Sequence, residues 1–463
     1  MYALLWVPYL ILVFYLYNNH TKRIYAAALI ILFAFLGYRL PIFSGFHAPL
    51  FHIGIIFTTT LIFTQFLLHK PRIYCDSYLF KVVGIYSAFF FLSVLVNFEQ
   101  SVTIPTYIVR LVGYFPLFLL VLASINSKRD INILLIVIAA IGTIVAIIGI
   151  GQFLYNDSLW GVQSTRKIIG SATGEAFFTE SKNVGYQGLQ GFRVASSTSN
   201  ANSFSAVMCM TLIISAYVFK KYKDNKLVRL FLYGGVFLQL VGLVISGSRT
   251  GVFLMALIFL FKIYTMLRNG QVKRLLQVLT LAGIASIIVL KAIVPDDYLN
   301  KSMLNRYASI FEKGDSSFLS GGVRMDRAWI PHLKRIQAEM FFLGYGSPGI
   351  PAEEDKDQMS RTTHNDFLGI LYFSGFWGLL AFMLILIRYF YIVGRVPDLD
   401  LRSTLRLVMI AYLIFGIGAE SFIHKGQPFI FWAIVAIAAR KSALFETREQ
   451  VRRPFMTGQE KKL

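Results

Sequence analysis

The sequence predicts an all-α polytopic membrane protein, and three observations carry that prediction. Of its 463 residues 56% are hydrophobic and only 15% are charged, where a soluble chain carries roughly 25% charged residues. The mean hydropathy is +0.61. Long apolar runs recur from end to end, each near the length a helix needs to cross a hydrocarbon core. A membrane β-barrel would show short segments of alternating polarity instead, and these are absent.

Runs of roughly 17 to 25 apolar residues give about thirteen spans. They lie near 2–17, 24–43, 48–68, 78–97, 103–124, 131–154, 200–219, 227–246, 251–267, 275–294, 364–393, 404–422 and 426–440. The first, YALLWVPYLILVFYLY, has no basic stretch before it and no small-residue cleavage site after it, so it reads as a retained span. Cys75 falls in a basic loop and Cys209 inside an apolar run. That spacing suggests neither a disulfide framework nor a metal site.

Lysine and arginine collect in alternate connections: Lys22/Arg23, Lys70/Arg72, Lys128/Arg129, Lys220 to Lys226, Arg268 to Arg274, and Arg395 to Arg406. The other short connections, near 44–47, 98–102, 247–250 and 423–425, hold only Arg249 and Lys425. The positive-inside rule then puts the N-terminus outside and the C-terminus, with its basic tail 441–463, in the cytoplasm. The net charge of +21 follows from this orientation and not from nucleic-acid binding. The expected organisation is one integral membrane domain, 1–463, with two long loops, 155–199 and 295–363, exported to the outer face. Structureless loops of that length are usually functional.

The outer face then gathers a group of chemically capable residues. Arg193, in GFRVASSTSNANSF, closes the first long loop, with Asn202 following it. Arg249, in ISGSRTG, sits at an otherwise uncharged turn. Arg324 and Arg327, in GGVRMDRAWIPHLKRI, lie in the second long loop, which His364 ends. Glu420, in FGIGAESFIHKG, stands near the outer end of a span, where a carboxylate is a functional candidate. Each also has a plainer reading. Arg249 can snorkel to the interface, Arg324 and Arg327 can pair with Asp326 or Glu339, and Glu420 can pair with His424 or Lys425. Thr363 or Asn365 can cap the helix that begins SRTTHNDFLG, but capping does not need the histidine. The stretch DRAWIPHLKRI reads as an amphipathic segment on the membrane surface.

Taken together, arginines and a histidine on one face suggest a polyanion site with a proton acceptor. A guanidinium binds phosphate oxygens through two parallel donors and cannot lose its proton. An imidazole titrates near neutral pH and can take a proton from a hydroxyl. The pair Asp355 and Asp357, in EEDKD, could hold a divalent cation but reads more simply as a solvated loop tip. GYGSPG, at 344–349, reads as a turn. Arg110 and Lys291 fall inside spans and either face the same cavity or snorkel.

Four stretches resemble the O-antigen ligase and polymerase superfamily of lipid-linked glycan transferases: GFRVASSTSNANSFSA, SGSRTGVFLMALIFL, VRMDRAW followed by FFLGYGSPG, and HNDFLGILYFSGFWGLLAF. The resemblance covers roughly residues 190 to 425. It implies a helical bundle of the GT-C type in a bacterial cytoplasmic membrane, with its active site at the periplasmic or extracellular face. It also implies a glycan donor on undecaprenyl diphosphate and a transfer needing no nucleotide sugar, cofactor or metal. Arg249 matches the arginine that ends the S-x-S-R turn, and His364 the histidine of the H-N motif. Arg193 matches the arginine before Asn202. Arg324 best matches the loop arginine preceding Trp329, although a spacing one residue longer than the family's leaves Arg327 as a rival. The expected roles are catalytic for His364, Arg249 and Arg324. Those of Arg193, Arg327, Asn202, Asn365 and Glu420 are contacts to diphosphate or glycan.

The acceptor is either another lipid-linked repeat unit, which makes a polymerase, or lipid A-core, which makes a ligase. The polymerase is the leading reading, since nothing in the sequence points to a lipopolysaccharide acceptor. A chain-length regulator is a further candidate partner. A solute or bicarbonate transporter is the alternative of a different class.

Overall fold

The computed structural model describes residues 6–19, 21–36, 39–43, 46–69, 75–97, 115–154, 196, 201–268, 329–338, 340–346, 363, 365–418, 427–440 and 444–445. The chain is an all-α, multi-pass membrane protein. Its helices are α1 (Trp6–Asn18), α2 (Arg23–Leu36), α3 (Leu50–His69), α4 (Ser77–Val96), α5 (Phe115–Ser124), α6 (Lys128–Leu154), α7 (Ala201–Lys221) and α8 (Lys226–Ile245). Then follow α9 (Arg249–Arg268), α10 (Ile330–Ala338), α11 (Asp366–Gly394), α12 (Leu399–Gly418) and α13 (Gln427–Ala439). Six of them, α4, α6, α7, α8, α11 and α12, are long and apolar enough to cross a membrane.

The expected span 24–43 is not one helix. It ends at Leu36, and β1 (Arg39–Phe43) then pairs antiparallel with β2 (Phe46–Pro49). Pro41 lies in β1, where the register shifts between Pro41 and Phe43. A proline has no N–H for an α-helical or a ladder bond, so it fits an irregular strand and not the interior of a helix. The expected span 275–294 and the first part of 103–124 lie outside the described residues.

Short polar side chains start several helices. Asp76 accepts the Leu79 N–H at 2.8 Å before α4, and Asn225 accepts the Val228 N–H at 3.1 Å before α8. Asp398 accepts the Leu401 N–H at 3.1 Å before α12. Each satisfies a backbone donor that the first turn leaves without a partner. α13 is apolar all round, and every residue from Gln427 to Ala439 is buried. A helix with no polar stripe belongs in the interior, and α13 packs there against α7, α11 and α12.

Polar contacts gather the helix ends into two levels. At one end Arg388 donates to Asp76 from Nε to Oδ1 at 3.0 Å and from Nη2 to Oδ2 at 2.7 Å. The Asp76 N–H donates to the Ala439 carbonyl at 2.8 Å, and Arg440 Nε to the Ile125 carbonyl at 2.6 Å. Lys128 pairs with Asp398 at 2.9 Å, and Lys220 with Asp400 at 2.6 Å. At the other end Gln152 meets Ser196, Asn202 meets Ser248, Asn365 meets Ile417, and Asn97 meets Gly344. From α4 onward the described spans therefore run alternately between a basic clasp end and a mouth end.

The clasp gives two expectations. Asp76 is 2% exposed and Arg388 25%, so Asp76→Ala leaves a guanidinium without its partner and α4 without its cap. Removing one member of such a pair costs about 3 kcal/mol, read as a lower thermal midpoint of the purified protein in detergent. Arg388→Lys, which loses the fork, is expected to recover only part of it.

Asp398 is an acid-sensitive member of the clasp. Burial raises its carboxyl, but hydrogen bonds from Lys128 and the Leu401 N–H, with the charges of Lys128 and Lys221, outweigh that and hold it below the ordinary aspartate value of 3.8. A depressed carboxyl contributes stability above the unfolded value and loses it as pH falls through the folded one. Thermal midpoints measured from pH 6 down to pH 3 are expected to fall more steeply below 3.8 in the parent than in Asp398→Asn.

Candidate functional site

The mouth end is built around a break in α11. Within Asp366–Gly394, Gly375 has φ 69° and ψ −172°, outside the helical region. Only glycine adopts that backbone readily. A break in an apolar span leaves backbone groups without helical partners, and these must be satisfied by other protein groups.

A strap at residues 340–346 satisfies them. The Phe376 N–H donates to the Phe341 carbonyl at 2.8 Å, the Tyr345 N–H to Tyr372 at 2.8 Å, and the Gly346 N–H to Phe373 at 2.9 Å. The strap turns on two further glycines in the left-handed region, Gly344 at φ 71° and Gly346 at φ 63°. A Cβ on Gly344 would lie 2.5 Å from the Gly375 nitrogen, and one on Gly375 would fall against the Phe342 carbonyl. Two backbones meet here with no room for side chains.

α10 docks one turn nearer the mouth. His332 is fully buried, with its ring edge-on to Tyr372 at 4.8 Å. Tyr345 stacks on Tyr372 at 4.7 Å and donates its hydroxyl to the Arg335 carbonyl at 3.1 Å. Trp329, Ile336, Met340, Leu368 and Leu371 complete this cluster. The amphipathic segment foreseen for the membrane surface thus buries His332 and Ile336 against α11. Ile330 and Leu333, 36% and 40% exposed, stay on its other side.

α7 and α9 form the second half of the mouth. The turn between α8 and α9 has Gly247 at φ 59°, and the Ser248 hydroxyl donates to Asn202 Oδ1 at 3.3 Å. Arg249 follows, half-buried, as the first residue of α9. Gly251 lets α9 lie directly on Ser205 of α7, where a Cβ would collide with the serine hydroxyl. Asn365 caps α11 by accepting the Phe367 N–H at 2.9 Å and the Leu368 N–H at 3.1 Å. Its amide donates to the Ile417 carbonyl at the end of α12 at 3.2 Å. α12 also packs against α7 and α9, so Asn202, Arg249 and Asn365 occupy one end of one helix group.

Three of the eight sequence-derived site residues, Arg249, Asn202 and Asn365, are therefore placed. His364, Arg324, Arg327, Arg193 and Glu420 lie outside the described residues, as do Asp355, Asp357, Arg110 and Lys291. Chain order relates some of them to described groups: Arg327 stands two residues before Trp329, and His364 one before Asn365. The strap is what sequence reading missed, since the described part of GYGSPG, Gly344 to Gly346, is no isolated turn. Its available signal was the pairing of a glycine-rich loop with a Ser-Gly step inside an apolar run.

These elements define a multi-pass membrane protein with arginine, asparagine and serine side chains at one end and a loop strapped into a broken helix. Residues 234–383 match the family model described as O-antigen ligase. That match supports a likeness of this stretch to the O-antigen ligase and polymerase superfamily. It runs from the middle of α8 through Arg249, α10, the strap and the break of α11. A comparison with curated proteins returns no match.

Proposed function

We propose that this protein is a glycosyltransferase that moves a glycan from undecaprenyl diphosphate to an acceptor hydroxyl at the outer face of the cytoplasmic membrane. The match over 234–383, which takes in Arg249, Arg324, Arg327 and His364, is the observation that carries the reading. The alternation of basic connections supports an outward-facing mouth and a cytoplasmic clasp.

In the proposed step the acceptor oxygen attacks the anomeric carbon while the bond from that carbon to the diphosphate breaks. Undecaprenyl diphosphate leaves with the electron pair. Arg249 and Arg324, with Arg327 as the rival of the second, stabilise the negative charge that grows on the leaving diphosphate. His364 orients the hydroxyl and receives its proton. Arg193, Asn202, Asn365 and Glu420 contact the glycan or diphosphate. No metal ion takes part in this scheme, because arginines supply the positive charge.

A polymerase is the leading reading, with a ligase to lipid A-core as the second. They separate when the purified protein is given the lipid-linked donor with either acceptor. A ladder built from repeat units alone supports the polymerase. A single shift that needs lipid A-core supports the ligase and displaces the polymerase. A transporter would use a broken helix to offer open backbone groups to its solute near the midplane. The break in α11 is instead filled by the chain's own strap, which favours chemistry at the mouth.

A further inference from the structure

We infer that Ser93 and Asn97, at the end of α4, are positioning residues for the transfer reaction, through the strap. Both lie far outside the matched segment 234–383. The inference rests on the proposed glycan transfer and adds a part of the chain that the resemblance does not assign.

Ser93 is fully buried, and its hydroxyl donates to the Phe373 carbonyl at 2.5 Å. A helical serine usually returns this bond to the carbonyl four residues back in its own helix. Here it reaches 280 residues along the chain. The target is the same carbonyl that receives the Gly346 N–H at 2.9 Å, two residues before the break.

Asn97 is 5% exposed. Its amide donates to the Ser93 carbonyl at 2.8 Å and to the strap carbonyl of Gly344 at 3.0 Å. The strap lies so close to α4 that a Cβ on Gly346 would stand 2.5 Å from the Ser93 carbonyl oxygen. Two polar side chains of α4 thus close a three-way junction of α4, strap and broken helix. Phe90 backs it by stacking on Phe373 at 3.9 Å.

The junction matters because of what the strap belongs to. The second long loop carries Arg324 and Arg327 ahead of α10 and ends at His364. α10 and the strap are described parts of that loop, and both are fastened to α11. Reacting groups displaced by about 1 Å can lose a hundredfold in rate. Ser93 and Asn97 therefore act on the reaction without touching substrate.

The test uses full-length protein in lipid nanodiscs, with Ser93→Ala, Asn97→Ala and the hydroxyl-retaining Ser93→Thr beside the parent. Hydrogen exchange is followed at residues 340–346 and 372–376, with 385–394 of α11 as an internal reference, and kcat and donor KM are measured in parallel. Losing one such hydrogen bond is expected to speed strap exchange about tenfold and to lower kcat by a similar factor. The reference segment and the donor KM stay near parent values, and Ser93→Thr restores kcat. Unchanged strap exchange, or faster exchange with undiminished kcat, overturns the inference. So does a parallel rise across the reference segment, which marks a general loss of stability. A folded parent inert toward the lipid-linked donor overturns the functional reading instead, and the catalytic role falls with it.

Discussion

Gly375→Ala is expected to prevent the protein from reaching its folded state. The substituted residue would have to hold φ 69° and ψ −172°, a region essentially closed to side-chain-bearing residues, at a cost of about 1 to 3 kcal/mol. Its Cβ would also fall where the Phe342 carbonyl group lies, with the Leu343 nitrogen at 2.6 Å. Those atoms are backbone and cannot turn away, so the strap must lift. Lifting it takes the Phe376 N–H and the Tyr372 carbonyl from their strap partners in an apolar interior, at about 1 to 3 kcal/mol for each unsatisfied group. Together these come to about 3 to 9 kcal/mol, a large part of a typical domain's stability. The readout is the yield of monodisperse protein in detergent and its thermal midpoint. Gly84→Ala is the matched control, because a Cβ there meets nothing within 4 Å and alanine is the better helix former.

Arg249→Ala is expected to leave the fold intact and lower glycan transfer about a hundredfold, corresponding to roughly 3 kcal/mol of transition-state stabilisation. Arg249 begins α9, and Asn202 and Ser248 fix the turn in front of it. The loss should appear in kcat and in kcat/KM together, because the interaction strengthens as the diphosphate departs. Arg249→Lys is expected to recover little, since an ammonium offers a point charge where a two-pronged donor is needed. A variant that keeps parent kcat with only a raised donor KM would remove Arg249 from the charge-stabilising role.

The sequence made the order of the six long described spans readable because each is an apolar run with a charged connection at its clasp end. It misjudged ends where local chemistry intervenes. Pro41 lies past the end of α2, and Asp398 starts α12 five residues ahead of the apolar run that marked it. Which segments the strap pairs with was not readable, for a physical reason. Gly344 and Gly346 announce positive φ, but the partners that require it, Phe373, Gly375 and Ser93, are supplied by distant segments. At the site, Arg249 stood out as a lone charge among small residues. Its support did not, because the Asn202 to Ser248 hydrogen bond links segments 46 residues apart. Ser93 and Asn97 carry no sequence signal, since a serine and an asparagine near the end of a span resemble ordinary helix-terminal polarity.

The most direct measurement follows a labelled glycan off undecaprenyl diphosphate, using purified protein in lipid with EDTA present and repeat-unit or lipid A-core acceptor supplied. Parent protein is expected to transfer the label to one of the two, while His364→Ala and Arg249→Ala, folded to the same extent, fall to a hundredth of that rate or less. A well-folded parent that moves no label to either acceptor would contradict the assignment as a lipid-linked glycan transferase.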